Sequence, residues 1–131
     1  MIWCVDDDRT IRDIEVYTLE QTGFQARGFA DGPSMLKALD TEIPDLIILD
    51  IMMPEMDGYE VCRRLREQGR STPIIMLTSR EEETDKVLGL ELGADDYVTK
   101  PFSMSVLYAK TMALIKRNQR TVLSADRMEA C

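Results

Sequence analysis

The stretch LIILD at residues 46–50 decides the fold of this chain, because a short unbroken apolar run ends there in an acidic residue. Such a run is typical of a central parallel strand that helices cover on both faces. A similar run, IIML at residues 74–77, follows Pro73, and another, IWCV, occupies residues 2–5. We therefore expect buried strands at these three places, with polar residues at their carboxyl ends.

Segments with helical spacing of apolar residues alternate with the strands. The pattern predicts helices over about residues 9–22, from Gly32-Pro33 onward, over 59–67 and 83–91, and from the N-cap residue Ser103, with weaker strands at 24–29 and 97–99. The residues expected to face the sheet are Ile11, Ile14 and Thr18 in the first helix, Leu65 with Val61 or Cys62 in the third, Val87 and Leu88 in the fourth, with Leu92 as a further candidate, and Leu107, Thr111 and Leu114 in the last. This alternation predicts an α/β fold, a doubly wound five-stranded parallel sheet.

The composition is that of one ordinary globular domain. The chain has 131 residues, of which 44% are hydrophobic and 31% charged, and no stretch approaches the roughly 20 apolar residues of a transmembrane helix. The first residues lack the features of a signal peptide, so we expect a cytoplasmic protein. The net charge of −8 does not favour contact with the phosphate backbone of nucleic acids.

The chain contains no histidine, which excludes Ser-His and Cys-His nucleophiles and leaves carboxylates, lysine and threonine to carry any chemistry. Its three cysteines are not spaced as metal ligands, so we expect free thiols, with Cys4 and Cys62 in the core. Beyond about Arg117 the sequence is polar and weakly periodic. We interpret residues 1–117 as the domain and 118–131 as a linker or tail, of either an excised or a stand-alone domain.

Polar residues come at the ends of the predicted strands, namely Asp6, Asp7 and Asp8 after the first, Asp50 at the end of the third, Thr78 at the end of the fourth and Lys100 after the fifth. Because the carboxyl ends of parallel strands lie at one edge of a sheet, we expect these side chains to converge there. Several carboxylates repel one another unless a cation lies among them, and Mg²⁺ is the hard, oxygen-binding ion that suits such a cluster.

This set of groups is suited to phosphoryl transfer. A cation and a lysine neutralise the charge of the transferring group while an oxygen nucleophile attacks in line. An aspartate can be that nucleophile and then forms an acyl phosphate. Asp50 is the best candidate, because it follows the most apolar run and is expected to be central in the sheet.

The sequence resembles the receiver domain of two-component response regulators over about residues 1–117. Four motifs carry the resemblance in order, namely VDDD at 5–8, LDIMMPEMDG at 49–58, LT at 77–78 and GADDYVTKPF at 93–102. One of them alone is a weak signal, whereas four in this order and spacing are a strong one. The resemblance implies a flavodoxin-like sheet in the order 2-1-3-4-5, which agrees with the strand count from the apolar runs.

The same resemblance implies a phosphorylation-controlled switch rather than an enzyme. Asp50 would take a phosphoryl group from a phosphohistidine of a sensor histidine kinase. Asp7, Asp50 and the backbone carbonyl of Met52 would bind Mg²⁺ directly, and Asp6 would act mostly through water.

Three further residues have roles that the resemblance implies. Lys100 would pair with the phosphoryl oxygens, and its bond to Pro101 is usually cis in the family. Thr78 would swing to hydrogen-bond the phosphoryl group, and Tyr97 would follow into the space that is vacated.

Residues 89–97 and the pair FS at 102–103 are most similar to the OmpR/PhoB-type regulators, which carry a winged-helix output domain. In that group, phosphorylation favours a symmetric homodimer through the fourth helix, fifth strand and fifth helix. The resemblance implies the same dimer here and control of transcription. No winged helix fits within residues 118–131, so DNA would be bound only through a C-terminal domain that this sequence does not contain.

The charged positions of the expected dimer face are matched by Lys86, Asp95, Asp96 and Lys110. A glutamate is usual where this chain has Val106, so the expected partner of Lys86 across the dimer is missing. Lys110 replaces the usual arginine and loses its bidentate hydrogen bonding.

Other interpretations of these residues are open. Asp8 suits a helix N-cap, and Tyr97 could be a plain aromatic residue of an edge strand. A magnesium-dependent phosphatase of the haloacid-dehalogenase type also uses an aspartate nucleophile, but it needs a second aspartate two residues later, where this chain has Met52. A receiver that only docks partners would have lost Asp50, Lys100 or the acidic pair, and all are present.

Overall fold

A computed structural model of the chain describes residues 1–78, 88–100 and 103–130, with side chains described as far as residue 117. In chain order the strands and helices are β1 (Ile2–Val5), α1 (Arg9–Gln21), β2 (Ala26–Phe29), α2 (Gly32–Ala38), β3 (Leu46–Asp50), α3 (Gly58–Glu67), β4 (Ile74–Thr78), β5 (Asp96–Thr99) and the C-terminal helix (Met104–Ala130). Residues 88–91 are also helical, and most of the predicted helix 83–91, including Lys86 and Val87, lies outside the described residues.

The strands form one parallel sheet in the order β2-β1-β3-β4-β5, which confirms the predicted fold. β1 and β3 lie next to each other, with Val5 paired to Leu49. Asp50 is paired to Leu77 on β4, and Thr78 to Thr99 on β5. The carboxyl ends of these four strands therefore meet at one edge of the sheet.

The core has two layers, one on each face of the sheet. Alternate residues of a strand point to opposite faces, so Trp3 packs with α2 and α3 whereas its neighbour Cys4 packs with α1 and the C-terminal helix. Both residues are completely buried. Cys4 and Cys62 are free and buried, which confirms the prediction for these thiols.

α1 is rotated relative to the prediction. Asp8 caps the helix by accepting hydrogen bonds from the backbone of Thr10 and Ile11, which supports the interpretation of Asp8 as an N-cap. From this start the helix turns Glu15 and Leu19 toward the sheet, and Ile14 is 51% exposed. The predicted inward position of Ile14 is therefore wrong, because packing against the sheet, rather than the apolar pattern of the helix alone, decides which face is buried.

The inward faces of two other helices are confirmed. Val61, Cys62 and Leu65 of α3 are all buried, so Val61 and Cys62, which were alternatives in the prediction, both face inward with Leu65. In the C-terminal helix the predicted residues Leu107, Thr111 and Leu114 are all buried. Leu88, in contrast, is 41% exposed, which contradicts its predicted inward position.

The C-terminal helix extends beyond residue 117, where the sequence pattern predicted a change to a linker or tail. The helix continues to Ala130. Residues 118–130 contain neither glycine nor proline, the residues that most strongly interrupt helices. The boundary of the domain at residue 117 stays a prediction. None of the helices in the described part of the chain is long and apolar enough to cross a membrane.

Candidate functional site

Three carboxylates converge at the carboxyl edge of the sheet. Asp6 follows β1, Asp50 ends β3, and their side chains are 0% and 4% exposed, whereas Asp7 is exposed. One carboxylate oxygen from each of Asp6, Asp7 and Asp50 lies within 4.8 Å of the other two. An all-oxygen, all-anionic set with one open side fits a hard divalent cation such as Mg²⁺. The predicted convergence of these three residues is confirmed.

Lys100 reaches the same cluster from the end of β5. Its Nζ lies 3.2 Å from Asp6 Oδ2 and 3.3 Å from Asp50 Oδ1. The Lys100 backbone N–H donates to the carbonyl of Thr78 over 2.6 Å, which ties the lysine to β4. Burial lowers the pKa of Lys100, but Asp50 and Asp6 outweigh it and raise the pKa above its ordinary value. The ammonium therefore stays charged between the two carboxylates.

The surroundings of Asp50 change its ionisation. Burial and the neighbouring charge of Asp6 raise its pKa to about 6, although Lys100 and the N–H of Met52 act in the opposite direction. The Met52 N–H donates to Asp50 Oδ1 over 3.3 Å, and Met52 itself is exposed. A cation among the carboxylates would favour the charged form of Asp50 further.

The loop at residues 6–8 is held by its own side chains. The Asp8 N–H donates to Asp6 Oδ1 over 2.9 Å. Asp8 Oδ1 in turn accepts from Thr10 N and Ile11 N over 2.9 and 3.2 Å, which caps α1. These bonds hold the backbone on both sides of Asp7, the exposed member of the cluster.

The loop between β3 and α3 depends on Gly58, a site residue to which the sequence reasoning assigned no role. A Cβ at this position would lie 2.5 Å from the carbonyl oxygen of Asp50 and 2.8 Å from Ile51 Cα. The Gly58 N–H donates to the carbonyl of Ile51 over 3.0 Å. Only glycine therefore allows the loop to close against the end of β3. The pair Asp57-Gly58 at the end of the motif LDIMMPEMDG (residues 49–58) is the signal that could have indicated this constraint.

Glu15 is a second feature that the sequence pattern did not reveal. The residue lies on α1, is completely buried, and neither of its carboxyl oxygens has a hydrogen-bond partner among the described residues. Burial, followed by the charge of Asp6, raises the pKa of Glu15 to about 8, against weaker opposition from Lys100 and Arg12. Burial and Glu15 together raise the pKa of the Cys4 thiol. A glutamate between apolar helix residues is usually a surface residue, so no pattern points to its burial.

Thr78 and Tyr97, the two predicted switch residues, lie on the neighbouring strands β4 and β5. Thr78 is 3% exposed and ends β4, and Tyr97 is half-buried on β5. Both line a narrow hollow together with Ile51. The Nζ of Lys110 lies 5.4 Å from the centre of the Tyr97 ring and donates to the Tyr97 carbonyl over 3.2 Å.

The residues of the expected dimer face make contacts within the chain. Asp95 pairs with Arg66 over 3.1 Å and with Arg117 over 3.0 Å, and Asp96 pairs with Lys110 over 2.9 Å. Val106 is 47% exposed. Lys86 and Pro101 lie outside the described residues, and the dimer stays a prediction.

Comparison with protein families identifies the type of domain. The family described as the response regulator receiver domain matches residues 2–112. The alkaline phosphatase synthesis transcriptional regulatory protein PhoP of Bacillus subtilis (strain 168) is 48% identical over 125 residues, a match that covers 95% of this chain and 52% of PhoP. The transcriptional regulatory protein CreB of Escherichia coli (strain K12) is 42% identical over 116 residues, with 88% and 51% covered. The chain thus spans about half the length of these relatives.

Solved structures of receiver domains are similar to this chain in both fold and sequence. The Francisella response regulator 1452 receiver domain superposes with a TM-score of 0.86 at 35% identity, covering 89% of this chain and 97% of that one. The BeF3-activated DrrB receiver domain gives a TM-score of 0.79 at 36% identity, covering 88% and 96%. In receiver domains, phosphorylation of an aspartate is the standard mechanism. Together with the family match, these likenesses show that the chain belongs to the response regulator receiver family and is a receiver domain of a two-component response regulator.

Proposed function

We propose that Asp50 is the phosphoryl acceptor of this receiver domain and that a sensor histidine kinase supplies the group as a phosphohistidine. The observation that carries the proposal is the position of Asp50, a buried carboxylate at the sheet edge that shares Lys100 with Asp6 and clusters with Asp7. Asp6 shares the burial, Lys100 and the neighbouring carboxylates, but it lies in the loop after β1, where its Oδ1 accepts from the N–H of Asp8, whereas Asp50 ends the central strand β3.

Mg²⁺ is the cofactor that this cluster fits. Asp7 and Asp50 would hold the ion directly with the carbonyl of Met52, and Asp6 would act mostly through water. When bound, Mg²⁺ would neutralise negative charge on the carboxylates and on the phosphoryl oxygens.

The chemistry is a transfer between two nucleophiles. An ionised oxygen of Asp50 attacks phosphorus and forms the P–O bond of an acyl phosphate. The P–N bond of the phosphohistidine breaks, and its electron pair stays on the imidazole nitrogen of the kinase. Lys100, which lies 3.3 Å from Asp50 Oδ1, turns its ammonium from the carboxylates to a phosphoryl oxygen and balances the added charge. The domain takes part in this step as a switch that is itself modified.

The conformational response would pass through Thr78 and Tyr97. The Thr78 hydroxyl would hydrogen-bond the phosphoryl group, and Tyr97 would move into the hollow that both residues line. We further propose that phosphorylation favours a homodimer through the face that contains Lys86, Asp95, Asp96 and Lys110. Formation of such a face would require Asp96 and Lys110 to exchange their contact within the chain for contacts across the dimer.

The output proposed for the whole protein is control of transcription. The curated relatives are transcriptional regulatory proteins about twice as long as this chain. DNA would be bound by a C-terminal domain outside this sequence, since the receiver itself carries a net charge of −8. A cytoplasmic location follows from the proposed partners.

The acceptor is tested with acetyl phosphate and Mg²⁺, followed by intact-mass spectrometry. Wild type should gain one phosphoryl group, and Asp50→Asn should gain none, because the amide is not a nucleophile. Asp13→Asn is the matched control, since Asp13 is an exposed residue of α1 that pairs with Arg9, and it should be labelled like wild type. Labelling that persists in Asp50→Asn would refute the assignment.

A further inference from the structure

Arg12 joins the first turn of α1 to the end of β1. Its Nη1 donates a hydrogen bond of 2.7 Å to the backbone carbonyl of Asp6, and the residue is half-buried. The N–H of the same residue, Asp6, donates to the carbonyl of Phe29 on β2 over 3.1 Å. Both the N–H and the carbonyl of Asp6 are thus hydrogen-bonded. The carbonyl is bonded by a side chain, because β1 has already ended at Val5.

Gly28 of β2 makes room for this arginine. A Cβ at position 28 would lie 2.9 Å from both Cγ and Cδ of Arg12. These atoms belong to the middle of the side chain, so the stem cannot move aside without carrying the guanidinium with it. The absence of a side chain at Gly28 therefore lets Arg12 lie across β2 and reach the Asp6 carbonyl.

The loop that Arg12 holds is the one that carries the acidic pair. Asp6 Oδ1 accepts from the N–H of Asp8 over 2.9 Å, so the orientation of the Asp6 backbone and that of the loop are linked. Asp7 lies between these two residues and contributes the exposed oxygen of the cluster. A rotation of the Asp6 peptide would displace both carboxylates from Asp50.

We propose that Arg12, with Gly28 beneath it, is a positioning residue for the divalent-cation site, because it holds the Asp6 carbonyl and so fixes the loop at residues 6–8. The inference rests on the proposed function, in which Asp6, Asp7 and Asp50 bind Mg²⁺. Residues that orient metal ligands typically contribute about 10- to 100-fold to metal affinity.

The sign of the effect separates positioning from plain electrostatics. Arg12 is a cation near a site for a cation, so its charge alone opposes Mg²⁺ binding. Removal of that charge would tighten Mg²⁺ binding if electrostatics were its whole contribution. Removal of a positioning hydrogen bond weakens binding instead.

The test measures Mg²⁺ binding to the unphosphorylated chain by isothermal titration calorimetry. Arg12→Met keeps an unbranched stem over Gly28 but lacks the donor, and we expect about tenfold weaker binding than wild type. Arg12→Lys keeps a charge and one donor and should recover most of the affinity. Arg9→Met is the matched control, because Arg9 is a first-turn arginine of the same helix with an 85% exposed side chain, and its affinity should not fall.

Gly28→Ala tests the same contact between Arg12 and β2 by changing the residue on the strand. The added methyl group displaces the Arg12 stem, so this variant should also weaken Mg²⁺ binding. The double variant Arg12→Met with Gly28→Ala should bind Mg²⁺ no more weakly than Arg12→Met alone, because the two changes remove the same interaction. Additive losses would overturn the coupling between Gly28 and Arg12.

A readout without metal keeps this inference separate from the proposed function. Amide hydrogen exchange of Asp8, measured by NMR in metal-free protein, should be faster in Arg12→Met than in wild type, with β4 amides unchanged. If wild type binds no Mg²⁺, the cofactor proposal fails, and Asp8 exchange alone decides whether Arg12 holds the loop. Arg12→Met that binds Mg²⁺ as tightly as wild type or tighter overturns the inference. If Arg12→Met does not fold, Arg12→Lys and Gly28→Ala decide by the same two measurements.

Discussion

The carboxyl edge of the sheet and the core beneath α1 each bury a carboxylate, but the first carboxylate has polar partners and the second has none among the described residues. Asp50 at the edge has Lys100 at 3.3 Å and the N–H of Met52 as a donor. Glu15 in the core has no hydrogen-bond partner in the described part of the chain for either oxygen. Burial raises the pKa of both groups, to about 6 for Asp50 and about 8 for Glu15.

The difference shows which surroundings allow a buried carboxylic acid to ionise and react. A charged group that leaves water needs a counter-charge or donors, and without them it stays protonated. Near pH 7, Asp50 is therefore mostly an ionised nucleophile, whereas Glu15 is mostly a neutral core side chain. Both carboxylates are buried, so the difference between the reactive Asp50 and the unreactive Glu15 comes from the partners that Lys100 and Met52 supply to Asp50.

The largest expected effect comes from removal of the counter-charge at the edge. Lys100→Met should slow phosphorylation by acetyl phosphate by about 100-fold or more, because the charge of the incoming phosphoryl group then has no ammonium to balance it. The rate is measured by intact-mass spectrometry over time at saturating Mg²⁺. The control is Lys37→Met, which removes an exposed lysine in the last turn of α2 and should leave the rate unchanged. Equal rates for Lys100→Met and wild type would contradict the contrast between the two regions.

Glu15 is expected to have the next largest effect, on stability. Its folded pKa lies above the value of about 4.3 in an unfolded chain, so the native state binds the extra proton and the free energy of unfolding falls as pH rises from about 4.3 to 8. The loss should be on the order of 3 kcal/mol at pH 7. Urea unfolding at pH 5 and pH 8 should show a much smaller fall for Glu15→Gln than for wild type.

Glu15→Leu extends this test, because it removes both the titration and the buried polar atoms. It should be more stable than wild type at pH 8 and less affected by pH. A wild-type stability that does not change between pH 5 and pH 8 would show that Glu15 finds a partner in solution and would remove the contrast with Asp50.

The smallest effect is expected for Asp50→Asn on stability. The raised pKa of Asp50 makes the free energy of unfolding fall between about pH 3.9 and 6, so the neutral variant should be more stable than metal-free wild type at pH 7. After allowance for solvent screening, the gain should be about 1 kcal/mol. Saturating Mg²⁺ should stabilise wild type by mass action and reduce or reverse the difference. Urea unfolding with Mg²⁺ and with a chelator measures both.

Much of the fold and of the site could be predicted from local sequence. The runs at residues 2–5, 46–50 and 74–77 are too apolar for any position but the sheet interior, and all three are buried strands. Because parallel strands share one carboxyl edge, the polar residues after those runs had to meet. The cluster of Asp6, Asp7 and Asp50 with Lys100 follows from that rule.

Other features depended on contacts between elements and were missed or mistaken. The apolar pattern of α1 placed Ile14 inward, but packing on the sheet turned Glu15 inward instead. The bond from Arg12 to the Asp6 carbonyl needs Gly28 on another strand, and no local pattern relates these three residues.

The sequence by itself determined the order of strands and helices, the sheet edge where the chemistry lies and the residue types available there, because strand periodicity and apolar runs act over a few residues. Only the tertiary structure decided that Glu15 is buried without a counter-charge, and how far the pKa of Asp50 is shifted. The ionisation of Asp50 and Glu15 depends on distances to Lys100 and Asp6, and these distances arise only when residues far apart in the chain pack together. Electrostatic energies vary with such distances and with burial. Two acidic residues that the sequence pattern does not distinguish therefore differ in charge near pH 7.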